Sequence, residues 1–74
     1  MVFLFIPFDP AGAEVRDYAT PHIAAAHFKR WALGKTSSRA HLLMRVGLHS
    51  WKTKLVAAVT DGEFRKEEEF DGAH

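Results

Sequence analysis

Seven residues between positions 39 and 54 carry the groups best suited to chemistry: Arg39, His41, Arg45, His49, Trp51, Lys52 and Lys54. Guanidinium and ammonium groups bind phosphate and carboxylate, and imidazole adds a hydrogen bond in either protonation state. An indole offers a surface for stacking or burial at an interface. The chemistry this set suggests is docking to an acidic protein surface or to nucleic acid. The surrounding sequence strengthens it. From Tyr18 to Thr60 there is no Asp or Glu, whereas Lys29, Arg30 and Lys35 join the cations already named. The acids lie at the two ends, as Asp9, Glu14 and Asp17 before the stretch and Asp61 to Asp71 after it, so the net charge of +1 hides a basic middle. A one-sign patch attracts opposite charge over a Debye length, about 8 Å at physiological salt.

Other chemistries find little footing. His41 and His49 are eight residues apart, which on a helix is roughly 12 Å, too far to share one ion. His22 and His27 would point about 140° apart. There is no cysteine and so no thiolate ligand, disulfide or thiol nucleophile. Gly34-Lys35-Thr36-Ser37 has the tail of a phosphate-binding loop, but position 29, where that motif requires Gly, is Lys. No Gly-x-Ser-x-Gly elbow or dinucleotide fingerprint is present. The expectation is a non-enzymatic protein with no catalytic residues, cofactor or metal.

A second reading comes from a resemblance. Arg45-Val46-Gly47-Leu48-His49-Ser50, followed by Leu55-Val56-Ala57-Ala58-Val59, resembles the end of the recognition helix and the next helix of LuxR-type helix-turn-helix regulators. Ile23-Ala24-Ala25-Ala26 loosely echoes the scaffold helix of that family. The spacing departs from the family's, and Trp51 stands where Arg is common. The resemblance implies a small DNA-binding regulator.

The elements that must position these residues are legible to different degrees. Residues 2–8 are apolar and aromatic and predict a strand, and Asp9-Pro10-Ala11-Gly12 predicts a turn. Residues 13–19 suggest a short helical turn. Residues 21–33 predict a helix capped by Thr20, opened by Pro21 and ended by Gly34, with Ile23, Ala24, His27, Phe28 and Trp31 on one apolar face. Ser37 or Ser38 is a candidate second cap. Residues 39–50 fit two periods. As a helix, His41, Arg45, His49 and Lys52 lie within about 80° of one another. As a strand, Leu42, Met44, Val46 and Leu48 alternate with His41, Leu43, Arg45 and His49. Good helix formers favour the helix. Asp61-Gly62 predicts a hairpin within 53–70.

Seventy-four residues make a single small domain, residues 1–74, with a marginal core. The expected architecture is α+β: an N-terminal strand, two helices and a C-terminal β-hairpin. A mostly α form with residues 38–60 as one helix is the alternative. The expected function is a small binding or accessory protein, docking an acidic protein or nucleic-acid surface through its basic centre. Homo-oligomerisation and membership of a larger complex both remain open. The apolar opening is too short to span a membrane, and the absence of cysteine fits a cytoplasmic setting.

Overall fold

The computed structural model describes residues 1–34, 39–47 and 49–71. Among these residues five strands form one antiparallel sheet: β1 (Val2–Pro7), β2 (Glu14–Asp17), β3 (Arg39–Arg45), β4 (Thr53–Thr60) and β5 (Glu63–Lys66), in spatial order β2-β1-β3-β4-β5. One helix, α1 (Pro21–Leu33), packs across β1, β3 and β4. The shortest principal extent is 16 Å, which leaves room for one helix layer on one sheet. The α+β class is as expected. The second helix is not found among the described residues, because 39–45 is the central strand β3, and the mostly α alternative fails for the same reason.

Alternation explains β1. Phe3 and Phe5 are fully buried against α1, whereas Leu4 and Ile6 point to the other side and are half-buried. β3 continues the pattern, with Ala40, Leu42 and Met44 buried and His41 and Arg39 exposed. Pairing is in register from Phe3↔Met44 to Pro7↔Ala40. A helix over 39–50 would have split Phe3 and Phe5 from their partners in the sheet, and the cross-strand fit outweighs the local propensity. The expected helical turn at 13–19 is likewise a strand. Glu14-Val15-Arg16-Asp17 pairs with β1 as a four-residue edge. The opposite edge, β5, is also four residues long.

The Thr-Pro start of α1 is as expected: Thr20 Oγ1 accepts from the Ile23 N–H at 3.2 Å, and Gly34 follows the last helical residue. The buried stripe is rotated from the expected one. Ala24, Ala25, Phe28 and Ala32 are buried, Ile23 is 44% exposed and His27 is exposed. Three alanines let the helix approach the sheet closely, with Phe28 as its one large buried side chain. Phe28 meets Phe5 edge-on at 5.5 Å. His27 is therefore not a core histidine. It stacks on Tyr18, with ring centroids 4.7 Å apart.

The hairpin turns at Asp61-Gly62 as expected, both residues having positive φ (53° and 78°), the requirement of a type I′ turn. β4 carries a bulge: Leu42 pairs with Ala57 and Leu43 with Leu55, so Val56 is the extra residue, and Val56 and Ala57 are both buried. Asp9 caps a 3-10 turn at Pro10–Gly12 by accepting from the Ala11 N–H. Gly47, with φ 95°, sits in the β3–β4 connection rather than inside a helix. Lys35, the candidate caps Ser37 and Ser38, and Leu48 lie outside the described residues.

Candidate functional site

The sheet has one side under α1 and one side that no described element covers. Register defines the bare side. Val15, Leu4, Leu43 and Leu55 are successive cross-strand partners, making an apolar row over β2, β1, β3 and β4. Leu4, Leu43 and Leu55 are half-buried by their neighbours, and Val15 is 64% exposed. Val2 and Ile6 extend the apolar surface along β1.

Charge changes in steps across this side. β1 is apolar. The next strand, β3, presents Arg39, His41 and Arg45 in alternate positions, with Leu43 between. Alternate residues on a strand are about 6.7 Å apart, so these groups form a basic ladder through the middle of the sheet. Beyond β4, Glu63 and Glu67 flank Arg65 and line a shallow groove of about 370 Å³ with Ala58, Thr60 and Asp61. With Asp17 of β2 beside Val2 at one corner, held by the N-terminal ammonium at 2.9 Å, the face thus runs from mainly apolar to basic to mixed.

The β3–β4 connection supplies an aromatic at one end of the ladder. Its ends are closed by a hydrogen bond from the Val46 N–H to the Lys52 carbonyl at 2.8 Å. Arg45 Nε donates to the Ser50 carbonyl at 3.1 Å, and its guanidinium lies 4.5 Å from the centre of the Trp51 ring. Trp51 is 65% exposed, so it is not a core residue. The cation–π contact holds its ring at the surface beside the ladder.

The seven residues expected to bind a partner are thus only partly brought together. Arg39, His41 and Arg45 share the bare face, with Trp51 against Arg45. His49 and Lys52 are exposed in the connection. Lys54 pairs in register with the buried Met44 and so belongs to the opposite side. It ion-pairs with Glu69 at 2.7 Å and lies over the Phe70 ring. The helical grouping of His41, Arg45, His49 and Lys52 does not exist, because the backbone there is a strand and a loop. Leu4, Val15 and Leu55 are the residues that sequence reasoning missed. The alternation in β1 could have revealed Leu4, but a residue outside the core pattern reads as surface until the facing layer is known to be missing.

A second polar cluster closes the β2 flank of the covered side. Glu14 accepts from Trp31 Nε1 at 2.8 Å and from Arg16 at 3.0 Å. Arg16 also donates to the Tyr18 hydroxyl at 3.2 Å and lies over Phe5. The hydrogen bond to Tyr18, and then that to Glu14, hold the Arg16 guanidinium above its ordinary pKa range. The cluster is a seal for the core edge. Among the described residues no group of His, Asp and Glu could hold a metal ion, and no buried side-chain polar atom lacks a partner. No described helix is long and apolar enough to cross a membrane.

The residues assigned by resemblance to a recognition helix and its successor occupy the end of β3, the connection and β4, so a helix-turn-helix is not formed there. The chain matches no family model, no curated protein and no solved structure.

Proposed function

We propose that this chain is a non-enzymatic binding or accessory module that docks an acidic protein surface through the bare side of its sheet. The observation that supports the reading is the joint placement of an apolar row and a basic ladder on one uncovered face. Scattered apolar residues are ordinary on a protein surface, whereas a contiguous row beside like charges is typical of an interface. Apolar contact supplies affinity, and the ladder supplies orientation and encounter rate. The aliphatic character of the row favours protein over nucleic acid. Single-stranded bases stack on aromatic or guanidinium planes; this face offers an aromatic plane only at one end, where the Arg45 guanidinium already lies against Trp51, and the central row of Leu4, Leu43, Leu55 and Val15 presents none. A cytoplasmic setting fits a cysteine-free chain of this kind.

The test is a pull-down with and without nuclease, repeated with an Arg39→Gln/Arg45→Gln variant over a salt series. Nuclease-resistant capture that weakens with salt and weakens again in the variant supports the reading. Nuclease-sensitive capture, or capture identical in the two proteins at every salt concentration, overturns it.

A further inference from the structure

We infer that the occupant of the bare face is an amphipathic α-helix with one acidic flank, lying along β1 with that flank over β3. This inference rests on the docking reading above and specifies its partner. Three features lead to it.

The first is dimension. A helix is about 10 Å across and neighbouring strands are about 4.8 Å apart, so one helix covers two strands. On the covered side the thirteen residues of α1 lie over the middle of the sheet, centred on β3 and β4 and reaching β1. On the bare side the two strands to be covered are β1, which is apolar, and β3, which carries the ladder.

The second is period. Ladder positions 39, 41, 43 and 45 recur about every 6.7 Å. Residues four apart on a helix recur about every 6.0 Å. Acids at two successive such positions meet Arg39 and His41, an apolar residue meets Leu43, and a third acid meets Arg45. The neighbouring helical stripe, apolar throughout, meets Val2, Leu4 and Ile6. Trp51, held against Arg45, stands at the end of this track, where a partner aromatic or aliphatic residue would cover it.

The third is charge, which decides against a second copy as the occupant. β3 is the central strand of the five. A two-fold contact centred on Leu4 and Leu43 brings the two ladders close together, Arg39 and Arg45 of one copy near those of the other. The acids Glu63 and Glu67 lie at the far edge and do not reach this centre, and Asp17, on this face beside Val2, is already paired with the N-terminal ammonium at 2.9 Å. Neither can α1 of another copy serve, because its outward residues include His22, Lys29 and Arg30. The same edge acids limit an acidic partner to β1 and β3.

The probe is a synthetic peptide of about 18 residues, long enough to be helical, with Leu on one stripe and Glu on one flank. Two controls accompany it: a shuffled peptide of identical composition with no helical stripe, and a peptide with Gln for Glu. Short DNA and RNA duplexes form a further arm. Amide shifts of the full chain are followed by NMR, and its oligomeric state by sedimentation. The expected result is perturbation at Leu4, Leu43 and Arg45 by the amphipathic acidic peptide, with affinity at least about tenfold above either control. Leu43→Glu should weaken that binding by about tenfold or more, and Arg39→Gln/Arg45→Gln, which leaves the apolar row intact, should weaken it similarly. Equal binding of the shuffled peptide at the same residues overturns the helix and leaves the docking reading standing. Absence of acidic-peptide binding, perturbation confined to α1, occupation of the face by a duplex, or a dimer closed over Leu43 overturns both.

Discussion

Leu42 and Leu43 are adjacent in β3, yet Leu42 is sealed beneath α1 while Leu43 lies on the side that α1 leaves bare. The same contrast holds between Phe3 and Leu4 in β1. On the covered side the rings of Phe3, Phe5 and Phe28 are fully buried and the flank is closed by the Glu14–Trp31–Arg16 cluster. On the bare side aliphatic groups of similar size are only partly shielded and sit beside cations. One layer of helix makes a core of the first side, and no described layer does the same for the second. Apolar content alone therefore does not locate the core, and the difference between the sides is set by a layer, not by a residue type.

The contrast can be broken or sharpened by substitution. Phe28→Ala should have the largest effect, a loss of about 3–5 kcal/mol, enough to unfold a domain of marginal stability. Urea denaturation followed by circular dichroism reads this directly, and a near-native midpoint would show that the covered side is not the core. Next in size is the adjacent pair. Leu42→Ala should cost about 2–5 kcal/mol, and Leu43→Ala clearly less, because Leu43 loses only partial burial. Equal costs would erase the distinction between the sides. Thr20→Ala removes the cap of the helix that creates the distinction and should cost about 1 kcal/mol. Its check is a shift in the denaturation midpoint with an unchanged slope. Trp51→Ala should be the mildest, at most about 1 kcal/mol, since it removes an exposed cation–π contact. The same change should lower affinity for the acidic peptide, so that stability and binding separate at this position.

Local signals were readable where one residue type has one mechanical use. Thr20-Pro21 and Gly34 delimit α1, and Asp61-Gly62 gives the hairpin, because caps and positive-φ turns depend on a few atoms near in sequence. Arg39–Arg45 was not readable in this way. Ala40, Leu42, Leu43 and Met44 satisfy a helical and an alternating period alike, and the choice is made by Phe3 and Phe5, more than thirty residues upstream. Glu14–Asp17 has little apolar content and becomes a strand through pairing with β1. The basic character of the site was visible in the composition of Tyr18–Thr60, but its geometry was not. A helical reading joins Arg45 to His49 and Lys52, whereas the strand joins it to His41 and Arg39, and the bulge at Val56 sends Lys54 to the other side.

The edges of the sheet bear on how this molecule behaves when crowded. β2 and β5 are four residues each and carry Glu14, Arg16 and Asp17 on one border and Glu63, Arg65 and Lys66 on the other. Short, charged borders are poor templates for strand addition, so open-ended fibre growth is disfavoured at both. The bare face is a larger surface for unwanted contact, and there the ladder of one molecule repels that of the next. Salt then acts in opposite directions on the two kinds of association. Screening weakens the proposed hold on an acidic partner but lets apolar rows approach one another, so the colloidal stability of the protein should fall as ionic strength rises, under the same conditions that would release the proposed partner.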